Sequence, residues 1–229
     1  MTDGKKEIRG RRSVLTGMGI AAAGMAAGAA TAGAKEARGG FEPARHSVDA
    51  WMDALPGNHR VFVDSASGPG GATALLYANN ILNAHTSAYD GKESDYAMIV
   101  CFRHYATPFG FGDEVWEKYG EGFNSIQDFP DPTTGKAPTL NPVNAAGRRD
   151  FPNKGHTIDA LGRRGIEFAV CDNATHVISG ALAGATGRSA DDIYAELVAS
   201  LVPNSRLVSA GVIAATRAQE YGYSLLSTG

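Results

Sequence analysis

The stretch YAMIVCF, residues 96–102, is a continuous apolar run in which hydrophobic and polar residues do not alternate. Such a run is typical of a strand in a parallel sheet, which is buried on both faces. A second apolar run at residues 166–171 also carries a cysteine near its end, and a third at residues 60–64 is rich in β-branched and aromatic residues. We therefore predict three strands of one parallel sheet.

Helical patterns separate these strands. Leu75, Ala78 and Leu82 fall at helical spacing, which predicts a helix with one buried stripe at residues 72–87. Further helices are predicted at residues 48–55, 112–126 and 210–221. A short helix is predicted to end at residue 165, and another helix is predicted to begin after residue 189. Further strands are predicted at residues 206–208 and 223–226. This alternation predicts an α/β fold, a three-layer α/β/α sandwich with a mostly parallel five-stranded sheet.

Length and composition exclude several classes of protein. The chain has 229 residues, of which 43% are hydrophobic, and a formal net charge of -3. This length favours one domain with a tail, and the absence of a basic surplus argues against nucleic acid as a partner. Two cysteines are too few for a multi-bridge scaffold, a four-thiolate zinc site or a four-thiolate iron–sulfur cluster.

The first 34 residues have the layout of an export signal, with a basic start followed by an uncharged stretch at residues 17–34. The pair Arg11-Arg12 and the residues after it resemble the twin-arginine (Tat) motif. We expect cleavage near Ala34 and a periplasmic location. Because the uncharged stretch consists mostly of Ala and Gly, we expect no stable membrane span after signal removal.

The rest of the chain divides into a leader with a short helix at residues 35–58 and an α/β domain at 59–229. Residues 128–150 are rich in Pro, Gly, Thr and Asn and show no periodicity. A loop of that length in a compact domain is usually functional or disordered. We therefore interpret residues 128–150 as an insertion and a candidate lid.

Ligands of open parallel sheets bind beyond the C-terminal ends of the strands. Three groups of residues fall there, one after each of the first three strands. The candidate catalytic residues are Cys171 and Cys101. The candidate ligand-binding residues are Asp64, Gly70, Arg103, His104, Asn173 and His176.

The two cysteines have functional and inert interpretations. Arg103 and His104 lie close to Cys101 in sequence, and a nearby cation would lower the pKa of its thiol. Cys171 precedes a helix, whose N-terminus favours a thiolate. Alternatively, both are small hydrophobic residues in apolar strands. Adjacent strands would bring the two ends within about 5 Å and permit a disulfide, whereas an intervening strand would separate them by about 10 Å.

The remaining motifs are weak. The glycine-rich segment at residues 68–71 is either a turn or a loop whose N–H groups bind an anion. It lacks the lysine and hydroxyl residue of a P-loop and the spacing of a dinucleotide fingerprint. The histidines have no metal-ligand spacing, so we predict no metal site, and the sequence identifies no cofactor.

The segments GIEFAVCDN, residues 165–173, and RAQEYGY, residues 217–223, resemble the DsrE/DsrF-like family, whose members often show a G-V-x-F-x-V-C-x-N strand and a terminal Q-x-x-G-Y. The resemblance spans about residues 60–226, without a counterpart for 104–155. It implies an α/β/α sandwich that forms oligomers. In the sulfur-relay members a cysteine carries sulfur as a persulfide, and Cys171 matches the cysteine of the strand motif.

Two classes of function follow. The first is an exported thiol-based sulfur carrier, or sulfur-relay or redox protein, with Cys171 as sulfur acceptor and Cys101 as its partner. We expect such a protein to be a homo-oligomer that exchanges sulfur with a donor or acceptor protein. The alternative is a non-enzymatic periplasmic protein that binds a metal or small ligand under the lid, or a structural subunit co-exported with a partner. Catalytic turnover stays open.

Overall fold

Five parallel strands form one sheet in the order β4-β3-β2-β1-β5 in the computed structural model, which describes residues 42–229. The strands are β1 (His59–Ser65), β2 (Tyr96–Phe102), β3 (Glu167–Cys171), β4 (Ser205–Val208) and β5 (Ser224–Ser227). The helices are α1 (Ala50–Ala54), α2 (Gly68–Ala88), α3 (Asp113–Gln127), α4 (Ile158–Gly162), α5 (Asp172–Thr186), α6 (Ala190–Ala199) and α7 (Gly211–Glu220). The predicted signal peptide and its cleavage site lie outside the described residues.

The helices cover both faces of the sheet, which confirms the predicted three-layer α/β/α sandwich. Successive residues of a strand point to opposite faces, and two hydrophobic clusters result. The larger cluster joins Val100 and Phe102 of β2 to helices α2 to α6. The smaller cluster joins Ile99 and Cys101 of β2 to α1 and α7. The sheet is therefore buried on both sides, as its continuous apolar strands require.

The leader helix belongs to the body of the domain. Met52 of α1 is fully buried in the smaller cluster, and its carbonyl oxygen accepts a hydrogen bond from the Tyr223 hydroxyl at 2.6 Å. Residues 42–229 form one compact unit. None of the helices in this unit is long and apolar enough to cross a membrane.

The glycine-rich segment at residues 68–71 is a correction to the sequence interpretation, since it forms the first turn of α2 and not a loop. Ser67 caps this helix by accepting a hydrogen bond from the Gly70 N–H at 3.0 Å, and Pro69 lies in its first turn. A hydroxyl cap and an early proline both favour a helix start. The N–H of Gly70 is thus engaged within the protein.

The insertion at residues 128–150 packs into the domain. Phe129 and Val143 are buried in the larger cluster. The side-chain amide of Asn141 donates hydrogen bonds to the carbonyl oxygens of Phe109 and Phe111, both at 2.9 Å. These contacts hold the insertion against the 3₁₀ helix His104–Gly110, which follows β2.

Candidate functional site

A pocket of about 440 Å³ lies beyond the C-terminal ends of β2 and β3. Its walls are mainly apolar, and three helices contribute to them. Ile126 belongs to α3, Val177 and Ile178 belong to α5, and Val212 belongs to α7. The lining residues that carry polar groups are Cys171, Arg103, His104, Tyr105 and Asn173. Among the described residues that line the pocket, none belongs to 128–150, so the candidate lid does not cover it.

Cys171 joins two elements at this pocket. It is the last residue of β3 and the N-cap residue of α5. Its exposed fraction is 4%, and its Sγ accepts a hydrogen bond from the backbone N–H of Gly211 at 3.2 Å. Because Gly211 is the first residue of α7, this N–H carries the partial positive charge of a helix N-terminus. Sγ therefore has a main-chain hydrogen-bond donor on its α7 side.

Gly211 is the residue in contact with Cys171 that the sequence did not indicate. A Cβ built at this position would lie 2.4 Å from the Cβ of Arg103, so only glycine fits between α7 and the chain after β2. The sequence does place a glycine at the start of the helix that follows β4, and this position could have indicated a close approach of the backbone. Its significance depends on the packing of α7 against Arg103, which one sequence does not show.

Arg103 lies at the pocket, but its charge is balanced by Asp64. Its Nε and Nη2 donate to the two carboxylate oxygens of Asp64 at 2.7 and 2.8 Å. The carboxylate is buried, and its hydrogen bonds raise the pKa of Arg103. Asp64 therefore acts on the pocket through Arg103, since it is not itself among the lining residues.

The expectation that a cation activates Cys101 is wrong. Burial raises the pKa of the Cys101 thiol well above its usual range, and the charge of Asp64 raises this pKa further. Arg103 opposes these effects as the smallest contribution. Cys101 is fully buried in the smaller cluster and does not line the pocket, so its thiol stays protonated at neutral pH.

The relation between the two cysteine strands was left open by the sequence, and the structure shows that β2 and β3 are neighbours. Cys101 pairs with Ala169, so Cys171 lies two residues further toward the C-terminal edge of the sheet. Both cysteines are free thiols. Because they lie at different positions along the sheet, the two cysteines have different surroundings. Cys171 lines the pocket, whereas Cys101 is surrounded by packed side chains.

The other predicted residues separate into two groups. His104 and Asn173 line the pocket, and His104 has a left-handed backbone with φ of 49°. His176 lies outside the pocket lining, where its ring stacks on Tyr194 with 4.0 Å between centroids. Gly70 is also not among the lining residues of the pocket, and it packs against the residues just after β5, where a Cβ on it would lie 2.0 Å from the carbonyl oxygen of Thr228.

No three His, Cys, Asp or Glu side chains within residues 42–229 are grouped as the ligands of a metal ion would be. Comparison with known proteins gives no match to this chain among protein-family models, curated proteins or solved structures. Fold and site together define a parallel three-layer α/β protein with a cysteine in an apolar pocket.

Proposed function

We propose that this protein is a thiol-based sulfur carrier in which Cys171 accepts sulfur as a persulfide. The observation that carries the proposal is the hydrogen bond from the Gly211 N–H to Sγ of Cys171 inside the pocket. A sulfur nucleophile needs access to its substrate and stabilisation of its negative charge. The pocket supplies the access, and the N-terminus of α7 supplies the stabilisation. The resemblance of residues 165–173 to the DsrE/DsrF-like strand motif supports the same chemistry.

The proposed step conserves atoms and electrons. The Cys171 thiolate attacks the terminal sulfur of a donor persulfide, R–S–SH, and forms a new sulfur–sulfur bond. The sulfur–sulfur bond of the donor breaks, and R–S⁻ leaves and takes a proton from solvent. An acceptor thiolate later removes the same terminal sulfur in the same way, as thiol–disulfide exchange proceeds.

In this proposal Cys101 does not exchange sulfur. Its side chain is fully buried and its pKa is raised, so it is neither accessible nor ionised at neutral pH. It fills space beside α7 in the smaller cluster. This assignment replaces the expected role of Cys101 as the partner of Cys171.

The experiment is intact mass spectrometry of the native and the denatured protein, with and without reductant. We expect a reductant-sensitive gain of one sulfur atom after exposure to a persulfide donor. Cys171→Ser should abolish the gain, and the matched variant Cys101→Ser should retain it. Two free cysteines without any adduct under all donors would overturn the proposal and favour a structural subunit.

A second candidate function is the reversible binding of a small ligand without chemistry. It is favoured by the pocket volume of about 440 Å³, which lies in the range of small-molecule sites. In the same experiment this function predicts a mass excess that is present in the native protein and absent after denaturation. That excess would persist in Cys171→Ser, whereas sulfur loading would not.

The proposal also includes the cellular setting and the assembly expected from the sequence. Export by the twin-arginine route predicts that Arg11→Lys with Arg12→Lys keeps the protein in the cytoplasm, as cell fractionation would show. Self-association is supported by β4 and β5, which lie at the two edges of the sheet and pair on one side only. Light scattering of the purified protein measures the oligomeric state, and a monomer would contradict this part.

A further inference from the structure

We infer that the pocket at Cys171 takes its sulfur from a low-molecular-weight organic persulfide whose organic substituent is uncharged and apolar, and not from a sulfur oxyanion. This inference rests on the proposed function and names the substrate class of the same site. It follows from three properties of the pocket: its walls, its charge balance and the depth of Cys171.

The walls favour an apolar ligand. Val177 and Val212 expose 73% and 52% of their surface, and both line the pocket. Ile126 and Ile178 complete an apolar wall on the side of α3 and α5. An apolar group that enters the pocket removes these side chains and itself from water, which is the main favourable contribution to binding.

The charge balance disfavours an anion. Among the described lining residues, the basic side chains are Arg103 and His104. Nε and Nη2 of Arg103 donate to the Asp64 carboxylate, which balances the charge of the guanidinium. The first N–H of α7 donates to Cys171, and the Asn173 N–H near the start of α5 donates to the carbonyl oxygen of Ser209. An oxyanion would lose its water shell next to a guanidinium whose charge Asp64 already balances, which is costly.

The depth of Cys171 favours a small donor. With 4% of its surface exposed, Cys171 is reached only by a group that enters the pocket. Persulfide exchange requires the reacting sulfur atoms to come into contact. A small molecule achieves this contact without bringing a folded backbone against the exposed side chains of Tyr105 and Val177.

The chemical step for a benzyl donor is balanced in the same way as the general step. The Cys171 thiolate attacks the terminal sulfur of benzyl hydropersulfide, and the bond between the two donor sulfurs breaks. Phenylmethanethiolate leaves and takes a proton from solvent. Cys171 keeps the transferred sulfur as its own hydropersulfide, and no external oxidant or reductant takes part.

The test compares three donors: benzyl hydropersulfide, glutathione hydropersulfide and thiosulfate. The first two have the same reacting group and differ in charge and polarity, and each rate is divided by the rate with a free small thiol. We expect the benzyl donor to load Cys171 at least about tenfold faster than the glutathione donor, a discrimination within the reach of an apolar pocket. Equal normalised rates, or faster loading from thiosulfate, would overturn the inference.

Two matched variants locate the preference. Val212→Asp places a carboxylate at the pocket in the first turn of α7, where an acidic residue is compatible with the helix dipole. Val48→Asp makes the same change in the exposed 3₁₀ helix Ser47–Asp49, away from the pocket. We expect Val212→Asp to reduce the benzyl preference about tenfold, because an apolar group that binds there must displace water from the new carboxylate. Val48→Asp should leave the preference unchanged.

A binding measurement separates the substrate class from the sulfur chemistry. Benzyl methyl sulfide has no transferable sulfur, and its binding is followed by ligand-observed NMR. If it binds at this pocket while no donor loads sulfur, the carrier function fails and the ligand class stands. If sulfur loads from all donors while benzyl methyl sulfide neither binds nor competes, the ligand class fails and the carrier function stands.

Discussion

The backbone N–H of Gly211 lies 3.2 Å from Sγ of Cys171 and donates a hydrogen bond to it. The two residues are 40 positions apart and belong to different elements, since Cys171 ends β3 and Gly211 begins α7. The group that donates to the sulfur is therefore part of the main chain. A side-chain substitution changes it only by displacing the start of α7.

Gly211→Ala should displace this start. Its Cβ would lie 2.4 Å from the Cβ of Arg103, and overpacking of this kind costs about 1–3 kcal/mol of unfolding free energy. We also expect slower alkylation of Cys171 because the N–H moves away from Sγ. Urea denaturation and the iodoacetamide rate measure both effects.

The matched control is Gly180→Ala in α5, where an added Cβ meets open space. There alanine should stabilise the helix by up to about 1 kcal/mol. Wild-type stability and alkylation in Gly211→Ala would show that α7 does not constrain Cys171.

Asp64→Asn tests the charge balance at the pocket. The change removes the carboxylate that accepts two hydrogen bonds from Arg103, and hydrogen bonds to charged groups contribute about 1.5–3 kcal/mol each. We expect lower stability in urea denaturation. We also expect thiosulfate to protect Cys171 from alkylation in this variant, because the cation of Arg103 is no longer balanced.

Asp191→Asn is the control, since Asp191 is exposed in the first turn of α6. It should change stability by no more than about 0.5 kcal/mol. If thiosulfate protects the wild type and Asp64→Asn equally, the pair does not set the charge of the pocket.

Alkaline pH should destabilise the protein through Cys101. Its pKa is raised in the folded state, so below the unfolded pKa of about 8.5 the thiol is protonated in both states and no stability is lost. Above that pH the unfolded chain releases the proton and the folded chain keeps it, so stability falls. By pH 10 the loss should reach about 1–2 kcal/mol.

Denaturation curves of the wild type and Cys101→Ala between pH 8 and about 10 measure this loss. The variant should lose less stability over the interval, whatever its stability at neutral pH. Burial raises the pKa of Tyr223 to about 12, and this group acts in the same direction mainly at higher pH. Parallel curves for the two proteins would contradict the prediction.

Asn141→Ala should loosen the insertion. The buried side-chain amide of Asn141 donates hydrogen bonds to the carbonyl oxygens of Phe109 and Phe111. Its Oδ1 accepts a hydrogen bond from the Val143 N–H at 3.2 Å. Each buried polar group left without a partner costs about 1–3 kcal/mol. Thermal denaturation should show a clear loss of stability.

The neighbouring variant Leu140→Ala is the control, because Leu140 is exposed. It should behave like the wild type. Equal melting temperatures for both variants would mean that the insertion is held by its apolar contacts alone.

The strands were predictable from the sequence because burial on both faces leaves a continuous apolar signal, as in β2 (Tyr96–Phe102). The start of α2 was not predictable, because the glycines at residues 68–71 are typical of a turn. Only the structure shows that Ser67 caps a helix there. The 3₁₀ helix His104–Gly110 contains Pro108 and ends in glycine, so it has no helical pattern in the sequence.

The site was predictable as far as topology places residues at strand ends. Cys171, Arg103 and His104 follow from this rule and line the pocket. His176 does not, because the face of α5 at the pocket carries Val177 and leaves His176 to stack on Tyr194. The pairing of Asp64 with Arg103 depends on how β1 and β2 align, which a local pattern does not encode.

The strand order has a consequence for how the chain matures. Strands β1 to β4 are added outward in sequence, and β5 then returns to the opposite side of β1. A ribosome that has released the chain only as far as Val208 therefore leaves one edge of β1 unpaired, next to the apolar residues Phe62 and Val63. Unpaired edges of this kind are sites of aggregation. Protection of this edge of β1 during synthesis thus depends on β5, which emerges after β1 to β4.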